Sequence, residues 1–249
     1  MPIATASYTI TWEKLPDDFP LPDEPVDNID QPSLAAALSE ILEQAGRLRE
    51  DMLIGTNYGV CATLDGKIVV KAPDWMYVPH IGVSREEVRR SYTPQLQGEV
   101  PAIVMEFLSE TEGGEYSIKP TYPPGKWYFY EQVLQVPQYV IFEPQQGVLE
   151  VYQLNDSGHY DLQQPNANHH YKIEALDLCL GVWQGTKGNR TGYWLRWWDE
   201  SGQLLAWGVE LVEQERQRAQ QEQQRAEQER QRAEALAAQL RAAGIEPEV

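Results

Sequence analysis

The segment VPAIVMEFLS at residues 100–109 is an almost continuous apolar run broken by one carboxylate, Glu106. A run of this kind reads as a strand buried on both faces, and that requires a layered fold with cover on each side. A helical pattern follows from Lys126 to about Gln135, and QYVIFEP at 138–144 is a second apolar run. Strand, helix and strand in that order form a crossover unit with parallel strands. The chain is therefore expected to be an α/β protein with a mixed central sheet and flanking helices.

The flanking segments add elements to this unit. Leu34, Leu38, Ile41, Ala45, Leu48 and Met52 recur at helical spacing behind Ser33, a good N-cap, which predicts an amphipathic helix over about 33–51. Val60, Ala62 and Leu64 alternate up to Asp65-Gly66, a turn pair suited to a two-residue hairpin, and Ile68 to Val70 return from it. Trp75 to Val78 reads as a further strand. Hairpins follow the crossover: Val148–Leu154 turns at Asn155 to Gly158, and Tyr193–Trp198 turns at Asp199 to Gly202. Five of the eight tryptophans lie in 183–207, where sheet covering accounts for them better than a base-stacking surface.

Charge divides the chain. Its 38 acidic and 20 basic residues give −18 at pH 7, the opposite of a generic nucleic-acid binder. Residues 1–30 contribute −6, mostly from the acidic, proline-rich stretch 17–30, and residues 1–32 read as an extended leader. Residues 31–212 contribute −10 and residues 213–249 contribute −2. That last segment is a Glu/Gln/Arg-rich heptad repeat, EQERQRA-QQEQQRA-EQERQRA, whose acid-before-base pairs three residues apart favour a helix. Ala219, Ala226, Ala233 and Leu240 mark one seam, but Glu222 and Glu229 interrupt the second, so a solvated single helix and a self-associating helix are both open readings. On the second of these readings the partner is another copy of the chain, a homo-oligomer joined through this helix. Cys61 and Cys179 are far apart with no metal spacing, and the start of the chain has no secretion-signal pattern. No apolar run is long enough to span a membrane, and a cytoplasmic location is expected.

Glu106 then calls for a chemical explanation. An ionised carboxylate left alone in a buried strand costs several kcal/mol, so it must be paired with a base, protonated or bound to a metal. Asp74 stands at the start of the Trp75 strand, and Lys126 opens the crossover helix with Tyr130 four residues on along the same face. Two acids on strands and a lysine at a helix start suit Mg²⁺ or Mn²⁺, which takes carboxylate and water oxygens, while the ammonium orients or deprotonates a water. The backbone carbonyl of Phe107 is placed to be a further ligand.

With those residues in place, the chain resembles a known family. Asp74 in PDWMYV, Glu106 in VMEFLS, and Lys126 with Tyr130 in GKWYFYEQ, followed by QYVIFEP, resemble the PD-(D/E)XK nuclease superfamily. Residues 33–212 resemble more closely the Uma-two family of restriction-endonuclease-like proteins. That family is abundant in cyanobacteria, and its members often carry GYWLRWWDE-like segments and Glu/Gln/Arg-rich tails. The resemblance implies a restriction-endonuclease-like core that cleaves phosphodiester bonds in nucleic acid, with DNA the expected substrate. It assigns Asp74 and Glu106 as metal ligands and Lys126 as the catalytic lysine. Two positions depart from the pattern: Leu108 stands where the lysine two residues after the glutamate is expected, and Tyr122 stands where an acid often precedes Lys126. Glu110, Glu112 and Glu115 are the acids that could replace the second.

Each candidate also has a plainer reading. Asp74 can cap a turn after Pro73, Glu106 can be an ion-pair partner of Lys126 or Lys119, and Tyr130 can be half-buried packing. A nuclease-fold module without catalysis, acting as a protein-binding scaffold, is the alternative to an enzyme. Ser84 and Glu87 have capping-box spacing, so a short helix there would carry Arg85, Arg89 and Arg90 near the Asp74 strand end, where phosphate contact is conceivable. His169-His170 lacks a third ligand and reads as loop, and Gly113-Gly114 lacks a phosphate-loop pattern.

Overall fold

A computed structural model describes residues 8–16, 19, 29–109 and 114–244. Most of the acidic stretch 17–30, together with Glu110 and Glu112, lies outside the described residues. The chain divides between Leu205 and Ala206 into two compact units.

The first unit is mixed α/β. Its twelve strands, among the described residues, are β1 (Ile10–Thr11), β2 (Leu53–Gly55), β3 (Val60–Leu64), β4 (Lys67–Lys71), β5 (Trp75–Val78), β6 (Ile103–Phe107), β7 (Gln138–Glu143), β8 (Val148–Leu154), β9 (Tyr160–Leu162), β10 (Tyr171–Ile173), β11 (Leu178–Lys187) and β12 (Arg190–Trp198). Six of them build a central sheet in the order β2-β5-β6-β7-β8-β9. The pair β6 and β7 is parallel, with Met105 opposite Val140, and the other pairings are antiparallel. The crossover expected from the two apolar runs is thus the centre of the sheet. Every residue of β6 is buried, which is what a strand covered on both faces demands.

Two three-stranded sheets flank it. β1-β3-β4 contains the Asp65-Gly66 hairpin, with both turn residues at positive φ as a primed turn requires. β10-β11-β12 carries the long hairpin that turns at Gly188-Asn189. Helix α1 (Gln31–Gln44) buries Leu34, Leu38, Ile41 and Leu42. It meets β12 through the Trp197 indole N–H, which donates to the Leu38 carbonyl at 3.2 Å, and β5 through the Trp75 indole N–H, which donates to Ser39 Oγ at 3.0 Å. Lys187 pairs with Glu40 at 2.6 Å and Arg190 with Asp30 at 3.0 Å, fixing the helix to the β11–β12 hairpin. The tryptophans of this region are covering elements: Trp194, Trp197 and Trp198 are buried.

Two expected helices are corrected. The first was expected over 33–51 behind Ser33, but it starts after Asp30, with Pro32 in its first turn, and stops at Gln44. Gly46 takes φ +65°, and the Gly46 and Arg47 N–H groups close on the carbonyls of Glu43 and Leu42, a left-handed termination that overrides the continuing apolar spacing. Met52, counted as helical, leads into β2, a strand the periodicity missed. The segment 84–90 forms turns rather than a helix, although Ser84 Oγ does bond Glu87 at 2.9 Å.

The second unit contains helix α2 (Gly208–Ala242), which begins with the Trp207 backbone N–H donating to Glu210 at 2.8 Å. Its polar surface is laced by short-range pairs, including Arg230 with Glu227 at 3.1 Å. Among the described residues, no helix is long and apolar enough to cross a membrane.

Candidate active site

The crossover geometry puts three separated sequence positions at one end of the sheet. In the β5–β6 pair Trp75 faces Met105, so one step further Asp74 and Glu106 are cross-strand neighbours on a common face. The chain leaves β6 at that same end and starts its return helix at Lys126. The first turn of that helix therefore lies beside the carboxyl end of β6, the edge where open α/β sheets place their sites.

The side chains converge. Lys126 Nζ lies 3.1 Å from Glu106 Oε2, and the Tyr130 hydroxyl donates to Glu106 Oε1 at 2.9 Å. Asp74 Oδ2 accepts from the Phe107 backbone N–H at 2.5 Å. Glu106 is 1% exposed and Asp74 is half-buried, so the pair opens toward solvent on the Asp74 side. Tyr130 reaches Glu106 because the return helix, α-helical over Lys126–Tyr128, continues as a π-helical turn over Phe129–Leu134 that buries Phe129, Tyr130, Val133 and Leu134. Gln135 ends it in the left-handed region.

Glu115 completes the group. Its Oε1 lies 3.2 Å from Lys126 Nζ, its side chain is largely buried, and its carbonyl accepts from the Tyr139 hydroxyl at 2.9 Å. Sequence reading left Glu110, Glu112 and Glu115 as equal candidates because their segment has no periodicity; of the three only Glu115 is among the described residues, and it reaches Lys126. The Phe107 carbonyl, expected as a metal ligand, accepts from Gln31 Nε2 at 2.6 Å. Gln31, the first residue of α1, was absent from the sequence reading, since nothing in its local pattern points seventy-six residues along the chain.

Electrostatics follow from burial. Burial pushes the Glu106 carboxyl up to about 8, against the pull of Lys126 and with Asp74 adding to the rise. Burial alone would lower Lys126, but the carboxylates of Glu106 and Glu115 outweigh it and hold the lysine above its ordinary value, a stable ammonium. Tyr130 is raised well above the usual phenol range by burial and by Glu106, so it stays a donor. The donor set facing Asp74 and Glu106 is hard oxygen: two carboxylates and the Phe107 carbonyl. Hard oxygen donors of this kind suit a divalent cation of the Mg²⁺ type.

Other expected contributors lie elsewhere. Arg85 donates to the Met52 carbonyl at 3.1 Å, Arg89 pairs with Glu86 at 3.9 Å, and Arg90 donates to the Pro16 carbonyl at 2.6 Å and to that of Phe19. Without a helix over 84–90 the three arginines have no common face to present to Asp74. Among the described residues, no cluster of three or more His, Cys, Asp or Glu is arranged to hold a metal, and His170 stacks on Trp198 with centroids 3.9 Å apart.

A family model whose description reads "Putative restriction endonuclease", Uma2, matches residues 20–184, a span that holds Asp74, Glu106, Glu115, Lys126 and Tyr130. The chain matches no curated protein. The match covers well over half of the chain, and the chain belongs to the Uma2 family.

Proposed function

We propose that the protein is a metal-dependent endonuclease that hydrolyses phosphodiester bonds in DNA, with Mg²⁺, or Mn²⁺ in its place, held by Asp74 and Glu106 and supported by the Phe107 carbonyl. The observation that carries this reading is the convergence of Asp74, Glu106 and Lys126 from two strands and a helix onto one partly open end of the sheet. When bound, the cation supplies Lewis acidity at a phosphoryl oxygen and acidifies water. The rest falls to the chain. Tyr130 fixes one oxygen of Glu106 by its hydroxyl, and the Phe107 N–H fixes Asp74, so both carboxylates are oriented before substrate arrives. Lys126, kept charged by two carboxylates, holds the attacking water and stabilises the charge that grows on the phosphoryl oxygens; it is not the base. Glu115 is a positioning residue that keeps the ammonium in place.

The excess acidity is compatible with this substrate, because part of it is the metal site itself and part lies at residues 1–30. A catalytically silent scaffold is the second reading. It draws on the same contacts, since Lys126 closed between Glu106 and Glu115 is already a satisfied ion-pair network. Supercoiled plasmid incubated with purified protein separates the two. The nuclease reading expects nicking with Mg²⁺, none in chelator, and loss in Asp74→Ala and Lys126→Ala; absence of nicking by the wild type, or nicking unchanged in both variants, overturns it. Self-association through α2 is a further part of the proposal, with a second copy of the chain as partner.

A further inference from the structure

Among the described residues, two aromatic side chains are exposed, Tyr116 at 47% and Tyr122 at 43%, and both stand in the loop that delivers Lys126. Ile118, 70% exposed, lies between them. The loop is pinned to the site at its ends. Glu115 bonds Lys126 at 3.2 Å, and the next residue on each side repeats the pairing, with Tyr116 stacked on Trp127 at 6.4 Å between centroids and 26° between planes. At the other end a Cβ on Gly125 would collide with the Ser117 carbonyl and hydroxyl, so only glycine lets the loop close directly before Lys126.

The two rings are held for presentation. Trp127 backs Tyr116 on one face, while its hydroxyl donates to Glu150 Oε2 at 2.8 Å, and Tyr152 donates to the same oxygen at 2.9 Å. Tyr122 donates to the Ile68 carbonyl of β4 at 3.0 Å, and the Lys67 ammonium lies 5.0 Å from its ring centroid. Lys67 and Lys119 are both exposed. Tyr116 is backed on one face by Trp127 and Tyr122 carries the Lys67 ammonium against its ring, and an exposed ring beside a cation is a recurring means of holding a nucleobase and its phosphate.

We propose that the 116–122 loop is a base-stacking element, in which Tyr116 and Tyr122 take unstacked nucleobases while Lys67 and Lys119 meet the adjoining phosphates. The inference rests on the nuclease reading for the identity of its partner, and it specifies that partner further: nucleic acid with unpaired bases, single-stranded or locally opened. In a closed duplex both faces of each base are already stacked and have none to offer a tyrosine. Glu115 and Glu150, close to Tyr116, keep phosphates away from that ring and leave it to a base.

The test uses the full-length protein and two probes, a fluorescent single-stranded oligonucleotide and the same sequence as a blunt duplex, followed by anisotropy in chelator so that the probe stays intact, with plasmid nicking in Mg²⁺ read in parallel. The single strand should bind more tightly than the duplex, and Tyr116→Ala with Tyr122→Ala should weaken that binding at least about tenfold, the scale of lost base stacking. Tyr116→Phe, which keeps the ring and drops the hydroxyl bond to Glu150, should bind as the wild type does. If the wild type nicks plasmid while the alanine variants, unchanged in thermal midpoint, bind single strands as the wild type does, the stacking role is overturned and the nuclease reading stands. If nothing is nicked but the alanine variants lose single-strand binding, the reverse holds. Absence of any oligonucleotide binding by the wild type overturns the stacking role directly.

Discussion

The backbone N–H of Phe107 donates to Asp74 at 2.5 Å, so the carboxylate that precedes β5 is held by the residue that follows Glu106 on the neighbouring strand. Asp74 is thus oriented by the edge of the sheet, while Glu106 is held by Lys126 and Tyr130 of the return helix. Asp74→Asn keeps an acceptor for this bond and should fold like the wild type, whereas Asp74→Ala should lose about 1–3 kcal/mol of stability, the cost of a stranded buried donor. Denaturant unfolding of both variants measures the difference, and both should lose nicking.

Stability should depend on pH through Glu106. Its folded carboxyl is raised from 4.5 to about 8, so between those values the folded state holds a proton that the unfolded state has released. Metal-free protein is therefore expected to be most stable toward the lower end of that window and to lose stability as pH rises through about 8. Lys126, raised above its ordinary value, adds nothing to this slope because it is charged in both states throughout the window. Glu106→Gln should flatten the profile, and thermal midpoints at pH 5.5 and 8 in chelator read it directly.

Removing the lysine should be costlier than exchanging it. Lys126→Met leaves the largely buried Glu115 carboxylate without its cation and Glu106 without its amine partner, a loss of about 3–5 kcal/mol on the scale of broken buried pairs. Lys126→Arg keeps the charge and should retain most of the stability, but a guanidinium cannot occupy the ammonium position, so nicking should fall by tenfold or more. Parallel unfolding curves and nicking rates separate the two effects.

Gly125→Ala tests how the site is aimed. The added methyl must displace Ser117 or shift the start of the return helix, and the expected loss is about 1–3 kcal/mol on the scale of overpacking. Nicking should drop further than stability alone accounts for, because Lys126 is the next residue.

A chain truncated after Val212 should remain folded, since it keeps the buried Trp207 and the residues of α2 that it removes are not buried. If α2 joins two copies, sedimentation of the truncated protein should show monomer where the full chain shows dimer or higher, and nicking per chain should persist.

Much of this architecture was legible in residues alone. The runs around Glu106 and after Pro137, with a helical pattern between them, specify a parallel pair whose connection must return to the sheet, and β6 and β7 are that pair. The Asp65-Gly66 hairpin was equally plain, because its turn chemistry is local. Where local signals compete, reading failed: Gly46 stops α1 against a spacing that continues to Met52, and the Ser84–Glu87 cap forms without a helix behind it. Asp74, Glu106 and Lys126 could be named because each is anomalous where it stands, a charge at the end or inside of an apolar segment. Glu115 and Gln31 could not, since a loop glutamate and a helix-start glutamine are ordinary until the fold brings them to Lys126 and to the Phe107 carbonyl.

The central claim is that Asp74 and Glu106 together hold a divalent cation. The most direct measurement is the thermal midpoint of the full chain titrated with Mg²⁺ and with Mn²⁺ at pH 7.5, beside Glu106→Gln under the same conditions. A ligand bound by the folded state alone raises stability in proportion to the logarithm of its concentration above Kd, about 1.4 kcal/mol per tenfold. The wild type should rise along that line and Glu106→Gln should stay flat, starting from a metal-free midpoint at or above that of the wild type. A wild type unmoved by either ion, or a variant that responds as strongly, would contradict the claim and leave Lys126, Glu106 and Glu115 as a structural ion-pair network.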